Sequence, residues 1–409
     1  MLATSELMRT TGQLARVDKL LPSWLELPIY RAAAEKEFSR WPLISKRDLR
    51  ENFPGNFLRG GQSLDALLAS KSIELEHTSG SSDERTPVLF RRGWWNIQEN
   101  CMLRLNHYVS RVLEANPFAR RATLVPPVCN GLVCFSNYTA KSARTVEATL
   151  FVNQARIPFL LTEAEMARMA DEILEWSPEF LDLDPVHGAW FAIYCERKGL
   201  VFPSVQFLLC SYEFVSVVHR NILQRVFGRP IFNLYGSTET GHLLFENEHG
   251  EMKDNPENVF YEIIDPDERG IGELVVTTLT NDIMPLVRYR VGDLVSGPPH
   301  SDGANYQIHG RVRDALRRWD GQRVTTLDID RCFDAGSGII HYQMRQDQTG
   351  NCDLQYIADH QSPDAADIAS VTERIENLLQ LRKKINAMTV QKLPPLTSGK
   401  FRLTGRLAN

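Results

Sequence analysis

The sequence predicts an α/β protein, with a large multi-sheet N-terminal domain built on a mostly parallel α/β core and a small α+β C-terminal domain. Three observations carry this expectation. Between about Trp94 and Gly228, short apolar runs such as Thr123-Leu-Val-Pro and Val205-Gln-Phe-Leu-Leu alternate with helix-length segments, the order that produces parallel strands. After Asp254 the chain becomes β-rich, which points to a second and more antiparallel sheet. From about Ala315 onward, short strands surround one clear amphipathic helix. A length of 409 residues exceeds one average domain and can bury a large core.

Composition narrows the class. The chain is 43% hydrophobic and 24% charged, as expected of a globular protein. A formal charge of −5 without a strong Lys/Arg cluster argues against a nucleic-acid footprint. No apolar run approaches the 18 or so residues a membrane span requires, and the start lacks a basic stretch followed by an apolar one, so a cytoplasmic protein is expected. The seven cysteines show no C-x-x-C pair and are read as reduced thiols.

Taken in order, residues 1 to about 70 read as helical with Pro and Gly punctuation. Ser45-Lys46-Arg47-Asp48 resembles a capped helix start, with Ser45 as cap and Asp48 favoured by the helix dipole. Ile73-Glu-Leu-Glu-His77 alternates like a half-buried strand and runs into Thr78-Ser79-Gly80-Ser81-Ser82-Asp83-Glu84-Arg85-Thr86-Pro87. A Gly/Ser/Thr-rich loop between strands can wrap N–H groups and hydroxyls around a polyphosphate, and a polar hairpin loop is an equal alternative. No Gly-Lys-Ser/Thr follows, so it is not a Walker A loop. Thr162-x-x-Glu165 is a capping box that opens a helix whose apolar face, expected in the core, is Met166, Met169, Ala170, Ile173 and Leu174.

The apolar run ending at Leu234 feeds an abrupt turn built on Gly236, within Tyr235-Gly236-Ser237-Thr238-Glu239-Thr240-Gly241. A strand ending in such a turn exposes N–H groups and short side chains at a sheet edge, where ligands bind. Tyr235 offers a flat face, Thr238 a hydroxyl and Glu239 a hard oxygen for Mg²⁺. Taken alone, such a stretch is an ordinary solvent-facing loop more often than a site. Further on, Arg288-Tyr-Arg-Val-Gly-Asp293 places a carboxylate after a glycine turn. Ser398-Gly399-Lys400 puts a lysine on a loop held by Pro394-Pro395.

Five stretches together resemble the adenylate-forming superfamily of acyl- and aryl-CoA synthetases, luciferases and peptide-synthetase adenylation domains. In order they are Thr78-Ser-Gly-Ser-Ser82, Tyr235-Gly-Ser-Thr-Glu239, Arg288-Tyr-Arg-Val-Gly-Asp293, Gly310-Arg-Val-Arg-Asp314 and Ser398-Gly-Lys400, spread over about 320 residues. Trp41-Pro-Leu-Ile-Ser-Lys-Arg-Asp-Leu-Arg-Glu-Asn-Phe-Pro54 and Gly272-Glu-Leu-Val-Val-Thr-Thr-Leu279 look most like the phenylacetate–CoA ligase branch.

The resemblance implies a domain of residues 1–310 that binds nucleotide and acid, a hinge at 311–314 and a mobile domain of 315–409. It implies ATP-dependent activation of a carboxylic acid, of aryl type, as acyl-adenylate with loss of pyrophosphate. Transfer to CoA would follow. Two alternatives stay open: transfer to a carrier-protein thiol or other acceptor, and a non-catalytic binder of nucleotide or acyl groups. A homodimer is an admissible assembly.

By the same resemblance, Thr78, Ser79, Gly80, Ser81 and Ser82 would cradle the β,γ-phosphates. Thr238 would touch the α-phosphate, Glu239 would hold Mg²⁺, and Tyr235 with Gly236 and Ser237 would flank the adenine. Asp293 would accept the ribose hydroxyls with Arg311 nearby, and Lys400 would bridge the attacking carboxylate and the α-phosphate. Arg313, followed by Asp314, matches the hinge.

Some features depart from the pattern. The phosphate loop continues Asp83-Glu84-Arg85 without the usual lysine, and Arg85 could replace it. Ser296-Gly-Pro-Pro-His300 has no cysteine where some relatives carry zinc, so no zinc is expected. Phe135, Tyr138, Tyr212 and Gly236 would suit a flat aryl acid, and Glu213 is balanced between a structural and a functional role.

Overall fold

The computed structural model describes residues 2–34, 36–78, 85–116, 118–126, 139–153, 155–297, 305–333, 338–359 and 368–407. The chain divides into two compact units, one drawn from Met1–Gly80, Glu84–His107 and Leu234–Ile308, the other from Tyr108–Asn233 and His309–Asn409. Architecture is α/β with several sheets, as the sequence predicts. Among the described residues no helix is long and apolar enough to cross a membrane.

In the first unit, the strands Ile73–His77 and Pro87–Arg91 pair antiparallel in the register Leu75↔Leu89. The strands Val259–Ile264, Gly272–Thr278 and Tyr289–Ser296 form successive antiparallel pairs. The β-rich character after Asp254 therefore does mark a separate antiparallel sheet. A bulge interrupts it where Glu273 faces Leu294 but Val275 faces Arg290. Gly292, at φ +84°, supplies the backbone freedom for that bulge. Asp293 consequently sits inside a strand rather than after its terminal turn.

The second unit is built on parallel strands. Thr149–Phe151, Arg121–Leu124, Phe180–Leu183 and Phe207–Cys210 run side by side, and Ile231–Asn233 continues the set. Every residue of Phe180–Leu183 and Phe207–Cys210 is buried, the mark of a parallel sheet covered on both faces. The helix Glu163–Trp176 starts at the expected capping box: Glu165 accepts from the Thr162 amide at 2.8 Å, and its own amide donates to the Thr162 hydroxyl at 3.2 Å. Met166, Met169, Ala170 and Ile173 are buried, but Leu174 is 40% exposed. The apolar stripe is one residue narrower than its sequence suggests, because Leu174 has rotated past the core edge.

Within the same unit, the sheet of the C-terminal segment has the order Asn386–Thr389, Cys352–Ala358, Ile339–Gln346 and Thr404–Arg406. The amphipathic helix Ile368–Leu379 buries Val371, Ile375 and Leu379. All five described cysteines are free thiols.

Candidate functional site

The Tyr235–Gly241 stretch folds as a tight hairpin. The strand Ile231–Ser237 does not stop at Gly236 as expected; it runs through it, turns over Thr238–Thr240 and returns antiparallel as Gly241–Glu246. Pairing of the two arms crosses a bulge between Tyr235 and Gly236, which presses the backbones together. A Cβ at Gly236 would lie 2.3 Å from the Gly241 carbonyl oxygen, so only glycine fits. Ser237 and Thr240 close the turn with their hydroxyls 2.9 Å apart, and Thr238 stays half-buried.

Glu239 lies at the turn with 2% of its side chain exposed. Its Oε1 accepts from Lys46 Nζ at 2.9 Å and from the Tyr289 hydroxyl at 2.8 Å. Burial pushes its pKa up, but Lys46 and the Tyr289 hydroxyl outweigh that and hold the carboxyl below its ordinary value. In the sequence, Lys46 reads only as part of a capped surface helix. That helix, Lys46–Arg50, buries Leu49 and is capped by Asp48, which accepts from the Ser45 amide at 2.8 Å and the Ser45 hydroxyl at 2.7 Å. The signal for Lys46 lay in the Trp41–Pro54 motif, which carries it.

The Tyr235 hydroxyl donates to Asp293 Oδ2 at 2.7 Å, uniting two motifs far apart in sequence. Thr78 is buried: its amide donates to the Thr86 carbonyl at 3.0 Å, and its hydroxyl accepts from the Thr86 amide at 3.0 Å. Ser79, Gly80, Ser81 and Ser82, with Asp83 and Glu84, lie outside the described residues, and Arg85 is exposed. Among the described residues no group of three or more His, Cys, Asp or Glu could hold a metal ion. Glu239 Oε1 is already taken by Lys46 and Tyr289, so this carboxylate alone is a poor hold for a resident ion; Mg²⁺ commonly takes one or two carboxylates plus substrate oxygens.

The second unit organises Lys400. Its loop is closed by the Leu396 amide donating to the Lys400 carbonyl at 2.7 Å and the Gly399 amide donating to the Leu396 carbonyl at 2.9 Å. Gly399 has φ +85°, which favours glycine, and a Cβ there would sit tightly against Pro126 at 3.0 Å. Lys400 Nζ donates to the Tyr212 carbonyl at 2.5 Å, and the Phe401 amide donates to Glu213 Oε1 at 2.6 Å. Nearby, Asp184 caps the helix Pro185–Lys198 through the Val186 and His187 amides. Burial raises the Asp184 carboxyl to about 6, against the pull of those amides and of Lys400. Burial and then Asp184 raise Glu213 well above the ordinary carboxylate range, opposed by Lys400, the Phe401 amide and Arg311.

Arg313 and Asp314 lie in the short 3-10 turn Val312–Asp314. The Asp314 carboxylate pairs with the Arg402 guanidinium, and the Thr404 hydroxyl donates to the Asp314 carbonyl at 2.9 Å. Of the residues expected to suit an aryl acid, Phe135 and Tyr138 lie outside the described residues, as does His300 of the segment expected to lack zinc. Tyr212 is half-buried.

No protein-family model matches the chain. It is 24% identical over 272 residues to the phenylacetate-coenzyme A ligase of Pseudomonas putida, covering 63% of this chain and 57% of that protein. It is 25% identical over 203 residues to protein CapK of Staphylococcus aureus, covering 46% of this chain and 44% of that one. The chain thus matches about half the length of these curated relatives. Among solved structures, a 2-hydroxyisobutyryl-CoA ligase in the postadenylation state superposes with a TM-score of 0.69 at 17% identity, covering 98% of this chain and 89% of the other. An ATP-bound MatB from Rhodopseudomonas palustris gives 0.54 at 15% identity, covering 80% and 66%. The chain has the fold of the adenylate-forming ligases and is related in sequence to a phenylacetate-coenzyme A ligase.

Proposed function

We propose that the protein is an acid–thiol ligase that activates a carboxylic acid with MgATP as an acyl-adenylate and then passes the acyl group to CoA. The observation that carries this reading is the Tyr235–Asp293 hydrogen bond, which joins the residues assigned to adenine and ribose. A nucleoside is recognised by a flat ring beside a carboxylate able to accept from two vicinal hydroxyls. Glu239 would help hold the phosphate-borne Mg²⁺, which would neutralise charge on the phosphates, and Thr238 would meet the α-phosphate. Thr78 opens the segment, continuing through Ser79, Gly80, Ser81 and Ser82, that meets the outer phosphates. Lys400 supplies a positive charge between the attacking carboxylate and the α-phosphate. There it offsets the repulsion of two anions, most strongly once water is excluded. Aryl acids are the class to try first, since the Pseudomonas relative is named for phenylacetate.

Hydroxamate trapping over a panel of carboxylic acids, with and without CoA, tests the reading. The expected result is ATP-dependent hydroxamate with at least one acid and a CoA-dependent thioester. Adenylate without CoA dependence would point to a carrier-protein acceptor, and no turnover with any acid would sink the enzyme reading. Lys400→Ala should abolish adenylate formation yet spare thioester formation from supplied adenylate. Equal loss of both steps would contradict the role given to Lys400.

A further inference from the structure

The turn that follows the strand Phe207–Cys210 carries Tyr212, named above only as suited to an aryl acid, and Glu213, which has no assigned role. Tyr212 lies at φ +74°, and the Glu213 amide donates to the Ser211 carbonyl at 2.9 Å. Positive φ with a hydrogen bond between residues two apart is the rare, strained kind of γ-turn. A bulky aromatic residue adopts it only where its surroundings insist, and such strain clusters at functional sites. Here the turn's two successive residues hold two successive residues of the Lys400 loop. The Tyr212 carbonyl takes the Lys400 ammonium at 2.5 Å, and Glu213 takes the Phe401 amide at 2.6 Å.

We propose that the Tyr212–Glu213 turn is a positioning device that sets the Lys400 ammonium for adenylate formation, with Glu213 as the residue that fixes the loop. The proposal rests on the reading of Lys400 given above. A long lysine side chain loses much rotamer freedom when it is held, so a partner that places it beforehand removes that cost from the reaction step. A neutral carbonyl orients the ammonium without cancelling its charge, which stays available to a phosphate; a carboxylate partner would neutralise it. Glu213 commits an oxygen to the Phe401 amide instead. The charged and titratable groups facing it are Asp184 at the helix cap, Lys400 on the loop and Arg311 on the strand Gln307–Arg311. Burial and Asp184 favour its protonated form, which suppresses a competing ion pair with Lys400.

Amide hydrogen exchange read by mass spectrometry tests the device without a known acid. Glu213→Ala should speed exchange at the Phe401 amide by about tenfold or more, the loss expected for a hydrogen bond to a carboxyl. Glu213→Gln keeps an acceptor and should retain the protection. In Glu213→Ala, acetic anhydride should also label Lys400 faster. Exchange in the strand Phe207–Cys210 and the helix Pro185–Lys198 should stay unchanged; if it rises equally, Glu213 is a general support and the inference fails. With the acid that gives hydroxamate, Glu213→Ala should slow adenylate formation about tenfold and spare the thioester step. If Lys400→Ala leaves adenylate formation intact, the reading of Lys400 falls. If Lys400→Ala abolishes it while Glu213→Ala changes neither exchange nor adenylation, only the inference falls.

Discussion

Glu239 is a buried charge whose pairing with Lys46 bears directly on stability. With its carboxylate 2% exposed and Lys46 only a third exposed, removing the ammonium would strand a charge beneath the hairpin. Lys46→Met should cost about 3 kcal/mol, the lower end for breaking a buried pair, because Lys46 keeps contact with water. Lys46→Met combined with Glu239→Gln should recover most of it, giving a coupling well outside additivity in a urea-denaturation cycle. Additive losses would mean the pair does not hold the hairpin. The Glu239 carboxyl is held below its ordinary value. The pair's stabilisation is therefore present above the unfolded carboxylate's pKa and lost as pH falls through the folded one. This pairing was not legible in the sequence, since Lys46 and Glu239 share no local pattern. Tyr235, Asp293 and Lys400 could be singled out beforehand only through the motifs that carry the resemblance, and the structure joins Tyr235 to Asp293 and holds Lys400 on the Tyr212 carbonyl. The γ-turn at Tyr212 was hidden for another reason: neither Gly nor Asn marks the positive φ.

At the scale of elements, Asp330 links three pieces of the second unit. It follows the capping-box start of the helix Thr326–Asp330, accepts from the Val217 amide at 2.8 Å and from the Tyr342 hydroxyl at 2.9 Å. It thereby ties the first turn of the helix Val217–Phe227 to the strand Ile339–Gln346. Burial lifts its carboxyl from 3.8 to about 7 despite both donors. The folded protein therefore binds this proton more tightly than the unfolded chain does. Its contribution is complete below about pH 4 and declines as pH rises to about 7. The decline amounts to a few kcal/mol, since each tenfold change in proton affinity is worth about 1.4 kcal/mol. Asp330→Asn should flatten that part of the stability profile, measured as urea midpoints between about pH 4.5 and 8. An unchanged slope would show that Asp330 ionises normally. Elements with local signals were readable: the Thr162–Glu165 box and the Ile368–Leu379 stripe announce their helices within one or two turns. The return of Ile231–Ser237 as a hairpin was not, because strand pairing across a bulge is decided by the partner strand's packing rather than by local residues.

For the molecule as a whole, the resemblance assigns Arg313 as the pivot about which the segment after Asp314 would take up a second arrangement for the thiol step. Its surroundings suit that role. The Val312–Asp314 turn is short, Arg313 is exposed, and Arg402 grips both the Arg313 carbonyl and the Asp314 carboxylate. Hinges absorb large changes in φ and ψ at a few element-terminal residues, and a swing here would also have to part the core that Leu316, Phe333 and Tyr342 share with Val186, Leu208 and Val218. Proline fixes φ near about −65° and removes one of the two soft torsions at the pivot. Arg313→Pro should therefore slow thioester formation about tenfold or more, while adenylate formation from acid and MgATP changes much less. Arg313→Lys, which keeps both torsions and the charge, should behave like the parent protein in both assays. Separate burst measurements of pyrophosphate release and of CoA thioester read the two steps. Loss of both in the proline variant with folding intact by circular dichroism, or loss of neither, would remove Arg313 as the pivot.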